Sequence, residues 1–457
     1  MRLTLLLACA ALLLAPLRAD DDRHVVLVCL DGFAAYHLDN PALVLPNLRA
    51  LAAKGTRAVS SETVYPSVTH PSHTTLITGV TPREHGVLYN TMTNRETGKV
   101  FHAATPPRAE SILVPTLFDA AKQKGLTTAA FHWPQLAQDP AVDFNLGSRY
   151  LPGGRLDAGA VDRAFWAELA AAGVPIDAYF RWRAAGTMRE AVDTVLIDAG
   201  SHVIKRHRPH FLAIHISNSD SQQHAHGPDS ELGHAALNLA DRHVGELVKA
   251  VEQAGLDERT TFVITADHGF ASVYDEVNLH PIFAEAGLAD KIALTASAWS
   301  LFVRRLPEFD HAADQPKLDY ALERIRGMPQ IARVLASDEY PSIGYPKFEE
   351  NVHVAGEYLI IGSIEHYLVA DPRPGQAIVR KRAKPSHSHG YLPTHPKMFS
   401  VLIWSGAGVR SGAAIGHARN LDVAPTIAAL LGLELPSAQG RVMAEVLAGE
   451  SSLAATR

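Results

Sequence analysis

Four short segments, spread over most of the chain, place Asp or His where an apolar run has just ended. Asp31 closes HVVLVCLDG, Asp220 and His224 follow in FLAIHISNSDSQQHAHGP, Asp267 and His268 close TFVITADHGF, and His389 sits in SHSHGY. Three of these segments begin with a continuous apolar run, which is how a strand buried on both faces reads. In an open α/β sheet, ligands bind outside the carboxyl ends of the strands. Three Asp and three His converging there suffice for two divalent metals, an arrangement suited to attack on phosphorus or an acyl carbon. Mixed His/carboxylate ligation suits Zn²⁺ best, with Mn²⁺ or Fe as alternatives.

Taken singly, the segments say less. A strand-terminal Asp31-Gly32 is more often a turn than a ligand. Asp220 and His224, four apart, can meet on one ion at a first helical turn, and His226 offers a competing spacing. Adjacent Asp267 and His268 point opposite ways in an extended chain, so they would suit two neighbouring ions. His389 alone reads as a surface residue.

The pattern along the chain is strand and helix in alternation. A strand over 24–30 is followed by a helix over 46–54 that stops at Gly55. Thr69 to Gly79 reads as a loop that turns into a helix. Further elements follow at 111–125, 127–133, 192–207, 211–216, 235–254 and 261–265. This predicts a doubly wound, mostly parallel sheet with helices on both faces. After about Ser272 the strand–Asp pattern lapses until about Pro385. That stretch carries several short strands and a helix near 318–327, and reads as an inserted cap subdomain over 272–385. The core is then expected in two parts, 20–271 and 386–457. The second part holds a strand in MFSVLIWSG and an amphipathic helix from Asp422 to a stop at Gly432.

The first 19 residues, MRLTLLLACAALLLAPLRA, have the layout of a secretory signal peptide, so a secreted or periplasmic protein is expected. Leu6-Leu7-Ala8-Cys9 resembles a lipobox but comes too early in the apolar stretch, which argues against a lipoprotein. The only cysteines are Cys9 and Cys29, so the mature chain would have one thiol and no internal disulfide. Loss of Arg2 and Arg18 with the leader would move the formal net charge from −6 to −8. No Lys/Arg tract follows a nucleic acid backbone, which excludes a nucleic acid polymer as partner. Mean hydropathy is zero, and no membrane span is expected.

The segment YPSVTHPSHTTLITG supplies something for a metal pair to activate. Thr69 precedes Pro71, which suits the first turn of a helix. The free N–H groups of that turn favour negative charge nearby. A metal-bound Thr69 alkoxide there would be a nucleophile. Alternatively Thr69 is an N-cap, with Ser67 and Ser72 as competing caps.

These residues together resemble the nucleotide pyrophosphatase/phosphodiesterase branch of the alkaline phosphatase superfamily. PSVTHPSHTTLITG with Thr69 is similar to its nucleophile motif. TPREHGVLYN, ending at Asn90, resembles its phosphate-binding Asn segment. Asp220-Ser-Gln-Gln-His224-Ala-His226-Gly-Pro resembles its ligand loop D-x-x-x-H-x-x-G-P. Asp267-His268-Gly269, His389-Gly390 and DVAPTIAALLGLELP match its later segments. The resemblance implies an alkaline-phosphatase-like core. It implies one Zn²⁺ on Asp31, Thr69, Asp267 and His268 and another on Asp220, His224 and His389. It thus takes His224 over His226 by register, and puts Asp267 and His268 on one ion. It also implies hydrolysis of phosphodiester or phosphoanhydride bonds in a small-molecule phosphate diester or nucleotide. The route would be a phosphothreonine on Thr69, with Asn90 holding non-bridging oxygens.

The chain departs from that branch at one position. The residue after the nucleophile is usually an aromatic that stacks on a base, and here it is His70. Tyr36, Tyr89, Trp133 and Tyr150 are candidate substitutes. The sulfatase signature Cys-x-Pro-x-Arg is absent. A phosphomonoesterase or phosphonate hydrolase is the alternative reading. A monoester dianion would want an extra cation, and no Arg stands beside Thr69, although Arg83 could reach the site. A non-catalytic relative would have lost the nucleophile or a ligand, and none is lost.

Overall fold

The computed structural model describes residues 22–147, 149, 157, 161–186 and 188–449. The expected leader, with Cys9, and Tyr150 lie outside the described residues.

An eight-stranded sheet forms the centre. Its order is Ala413–Arg419, Thr56–Glu62, Leu402–Gly406, Thr260–Thr265, His24–Leu30, Phe211–Ile216, Thr128–Phe131 and Phe144–Leu146. Leu402–Gly406 runs antiparallel to both its neighbours, and every other pairing is parallel. The three central strands are buried at every position, as the apolar runs within them require. Alternation along His24–Leu30 divides the core between the two faces of the sheet. Val25, Leu27 and Cys29 pack with Leu76 and Ile77 of the helix Thr69–Thr78 and with Ile427 of the helix Val423–Leu431. Val26, Val28 and Leu30 pack with Val195 and Val203 of the helix Arg189–His207 and with Val244 of the helix Glu231–Gln253. Helices on both faces make the sheet doubly wound.

Between the strands Thr260–Thr265 and Leu402–Gly406 the chain builds two smaller sheets. Ala271–Asn278 pairs with His366–Val369 on one side and Val379–Ser388 on the other. The second sheet is antiparallel, ordered Ile292–Ser297, Ser300–Arg305, Tyr358–Gly362, Ile331–Ala336. One face of it, with Phe302, Leu335, Leu359 and Ile361, joins the cluster that covers the main sheet. The other face, with Leu301, Val303 and Ile360, packs on Leu318, Leu322 and Ile325 of the helix His311–Arg326. Among the described residues no helix is long and apolar enough to cross a membrane.

Candidate active site

The carboxyl ends of the three central strands lie side by side, because Leu30 pairs with Ile216 and Cys29 with Thr265. Asp31 follows the first strand directly. Asp267 comes two residues after the last. Asp220 lies in the first turn of the helix Asn218–His226, which follows the middle strand, and His224 lies further along it. His389 follows Val379–Ser388.

These side chains meet in two groups. In the first, His268 Nε2 stands 3.3 Å from Asp31 Oδ1 and 3.3 Å from Asp267 Oδ2. In the second, His224 Nε2 is 3.3 Å from Asp220 Oδ1 and 3.2 Å from His389 Nε2, while His389 Nε2 is 3.6 Å from Asp220 Oδ1. Four ligands held tetrahedrally at ordinary Zn–N and Zn–O distances lie roughly 3.3 Å apart, so both groups already have that spacing. His268 borders both, and its ring stacks on that of His389 with centroids 3.5 Å apart and planes 8° apart.

Adjacent Asp267 and His268 reach one point because the backbone turns between them, contrary to the extended geometry. Asp267 Oδ1 accepts the N–H of Gly32 (3.1 Å) and of His268 (3.0 Å), which turns Oδ2 toward the imidazole. Gly269 lets the chain pass close to Lys397, since a Cβ there would sit 2.0 Å from the Lys397 carbonyl oxygen.

Each imidazole is oriented by its other nitrogen. Nδ1 of His268, His389 and His224 meets the carbonyl of Gly269 (3.0 Å), Ser67 (2.9 Å) and His387 (2.8 Å) respectively. Donation from Nδ1 leaves Nε2 as a free lone pair, the tautomer a metal needs. Burial pushes His268 down to about 4 and His389 to about 3, so both rings are neutral at pH 7. Burial, and then each other's charge, raise Asp31 above the usual carboxylate range beside Asp267. Burial also acts upward on Asp220, but His224 and His389 beside it hold it below that range.

Asp31 Oδ1, Asp220 Oδ1, Asp267 Oδ2 and His268 Nε2 are buried without a hydrogen-bond partner. Leaving polar groups so is costly, and divalent cations are the groups that satisfy carboxylate and imidazole donors together. The donor set therefore fits metal.

Thr69 begins the ten-residue helix Thr69–Thr78. Ser67 donates to the Tyr391 carbonyl at 2.9 Å, and Ser72 shares a 2.7 Å hydrogen bond with Thr63. Among the described residues the Thr69 hydroxyl makes no such bond. Asn90 Oδ1 accepts the His70 N–H at 2.9 Å, which fixes the amide beside that helix start.

The family model for type I phosphodiesterase/nucleotide pyrophosphatase matches residues 25–392. The chain belongs to this family. It is a branch of the alkaline phosphatase superfamily. Ectonucleotide pyrophosphatase/phosphodiesterase family member 3 of Bos taurus is 26% identical over 252 residues, which cover 55% of this chain and 25% of that protein. Venom phosphodiesterase 2 of Crotalus adamanteus is 24% identical over 259 residues, covering 55% and 27%. The chain thus spans only about a quarter of these curated relatives. Human ectonucleotide pyrophosphatase/phosphodiesterase 5 superposes with a TM-score of 0.66 at 17% identity, covering 90% of this chain and 96% of that one. The murine protein, solved as an inactive threonine-to-alanine variant with AMP, gives 0.68 at 17% identity over 93% and 100%. These two likenesses establish the fold.

Several residues of this phosphodiesterase-family chain carry weight that their sequence context hid. His215 Nε2 lies 2.8 Å from Asp31 Oδ2. His73 Nδ1 lies 2.8 Å from the Thr69 carbonyl and 3.6 Å from Asp267 Oδ2, and its ring packs edge-on against His215. Asp193, buried in the helix Arg189–His207, accepts the N–H of Ser217 (3.1 Å) and Asn218 (2.7 Å), anchoring the helix that carries Asp220 and His224. The signals were faint: one His inside FLAIHI, one His four residues after Thr69, one Asp on a helix.

The candidate substitutes for a stacking aromatic fare unequally. Trp133 is fully buried against His73, and Tyr36 packs on His37. Tyr89 stacks on Trp299, whose ring lies 6.2 Å from that of His389. His70 is itself buried, edge-on to His102 at 4.7 Å, with Nδ1 against the Gln135 amide. Burial pushes its pKa well down, so it is neutral. His102 lines a cavity of about 940 Å³ together with Met92, Phe101, Leu113, Asn351 and His353. Arg83 is forked onto Glu350 at 3.1 and 2.8 Å. Two other arginines bear on the centre. Arg189 lies near enough to act on Asp31 and His224, and Arg183 on His102 and His215.

Proposed function

We propose that this chain hydrolyses phosphodiester or phosphoanhydride bonds of small-molecule substrates, nucleotides among them, with Thr69 as nucleophile. The observation that carries the reading is the pair of donor groups, with unpartnered buried atoms, at the strand ends. Asp31, Asp267 and His268, with Thr69, would hold one divalent ion, and Asp220, His224 and His389 the other. Zn²⁺ suits this donor set best, with Mn²⁺ or Fe as alternatives. When bound, the ions supply Lewis-acid charge that acidifies the nucleophile and offsets phosphoryl charge.

Thr69 Oγ1 attacks phosphorus, forming one P–O bond as the bond to the leaving oxygen breaks. Water then cleaves the resulting phosphothreonine, so the two inversions retain configuration at phosphorus. With its Oδ1 held by the His70 N–H, Asn90 keeps its amide hydrogens for a non-bridging oxygen. Residues 272–385 act as the cap, which brings Trp299 beside His389. The murine relative's complex with AMP supports a nucleotide-sized substrate. The ectoenzyme names of the relatives accord with a secreted or periplasmic setting.

The alternative, a phosphomonoesterase or phosphonate hydrolase, has support in the positive charge of Arg183 and Arg189 near the centre. The two readings separate on kcat/KM for bis-p-nitrophenyl phosphate against p-nitrophenyl phosphate with zinc-loaded protein. The diester is expected to be the better substrate. A clear preference for the monoester would overturn the diesterase reading.

A further inference from the structure

A second cluster of metal-ligating side chains lies away from the strand ends. Glu168 belongs to the helix Arg163–Ala171. His202 and His207 belong to the C-terminal part of the 19-residue helix Arg189–His207. Roughly 14 Å of helix separates His202 from Asp193, the residue that anchors the helix carrying Asp220 and His224. Both imidazoles aim Nε2 at the same carboxylate oxygen, Glu168 Oε1, at 2.7 and 2.6 Å.

We propose that Glu168, His202 and His207 form a third divalent transition-metal site, of structural type, completed by water. Two imidazoles and one carboxylate are a donor set that zinc-class ions favour. One ligand atom from each residue falls within 4.8 Å of the others. The side chains are 33%, 22% and 22% exposed, so the cluster is accessible to an ion yet partly shielded from competing water. The His207 ring is held by stacking on Phe144, with centroids 4.0 Å apart. Glu168 Oε2 has no hydrogen-bond partner among the described residues, which leaves it free to complete the shell. An ion bonded at roughly 2.0–2.1 Å would widen the Nε2–O separations to roughly 3.3 Å, a change within reach of small side-chain rotations.

The location gives such an ion a purpose. Phe144 lies on the last strand of the main sheet, where one flank pairs with no further strand among the described residues. An ion there would tie the helix Arg163–Ala171 to the helix Arg189–His207 beside that flank.

The test compares the full chain with His202→Asn and Glu168→Gln, none of which touches the catalytic centre. Each protein is saturated with Zn²⁺, freed of excess by gel filtration, and its metal per chain is counted. The expected result is one equivalent fewer in each variant, with phosphodiesterase activity retained as evidence of folding. Co²⁺ loading of the unaltered chain is expected to show visible d–d bands that both variants lack in part. Equal metal content in all three folded proteins, with identical Co²⁺ spectra, would overturn the proposal and leave the triad a hydrogen-bonded cluster. This readout does not depend on which phosphate ester the enzyme prefers.

Discussion

Thr69 differs from Ser67 and Ser72 in what its hydroxyl is left to do. The two serines use theirs on the Tyr391 carbonyl and on Thr63, while that of Thr69, at the start of a helix, has no such partner among the described residues. Thr69→Ala is expected to lower kcat by roughly 10³-fold or more, because the attacking oxygen is gone. Thr69→Ser should retain part of it. A rate for Thr69→Ala near that of the unaltered enzyme would remove the residue from the chemistry. His215 works one step back, through Asp31 Oδ2. His215→Gln is expected to weaken metal binding by roughly 10–100-fold. At saturating metal kcat should recover to within a few-fold. A kcat deficit that excess metal cannot repair would show that His215 does more than orient Asp31.

At the scale of elements, the helix Asn218–His226 depends on a residue from another helix. Asp193 accepts the N–H groups at its start, so Asp193→Ala strands two buried donors. A loss of roughly 2–3 kcal/mol in urea unfolding is expected, together with weaker binding of the ion that Asp220 and His224 would hold. Loss of stability without any change in metal affinity would mean that the helix start does not govern its ligands. Elements with a strong internal pattern could be read from the chain alone. His24–Leu30, Phe211–Ile216 and Pro46–Lys54, with its stop at Gly55, lie where the apolar runs and the terminal glycine put them. The strands Thr56–Glu62 and Ala413–Arg419 escaped notice because TRAVSSE and AAIGHAR have no buried apolar run. Buried polar groups there are served by distant partners, as Ser61 is by Asn420. The same holds in the site. Candidate ligands that close a strand show in a linear reading, whereas His73, His215 and Asp193 gain meaning only from what the fold sets beside them. Adjacent Asp267 and His268 do not follow extended geometry because the chain bends at Asp267, whose Oδ1 is held by the N–H groups of Gly32 and His268.

Across the whole molecule, burial holds many histidines neutral, several of them outside the metal groups. His37 is pushed down to about 4, His85 to about 3 and His243 to about 4, each chiefly by burial. Unfolded, each would titrate near 6.5. Their folded values lie below the unfolded one, so the stability they confer is complete above about pH 6.5. It is lost as pH falls from there toward the folded values, by about 1.4 kcal/mol per pH unit for each group. His85 Nδ1 accepts the Val87 N–H at 3.1 Å, a bond that a second proton would break. Urea unfolding of chelator-treated protein at pH 7, 6 and 5 should therefore show stability falling, and His85→Gln should flatten the slope. A slope unchanged by His85→Gln would locate the effect elsewhere. Removing metal should lower Tm as well. An ion at 100 times its Kd contributes about 2.7 kcal/mol, and the bare centre leaves Asp31 and Asp267 facing each other. A Tm indifferent to chelation would mean that no ion is bound there.

Asp31 stands near the start of the described chain, and His389 directly follows the strand Val379–Ser388, which pairs with Ala271–Asn278. Synthesis must therefore pass residue 389 before the set of proposed donors is complete. A chain halted before His389 holds most of the proposed centre but cannot close it. Turnover at the proposed centre would thus count only chains made past His389, leaving an interval in which a partial chain is harmless.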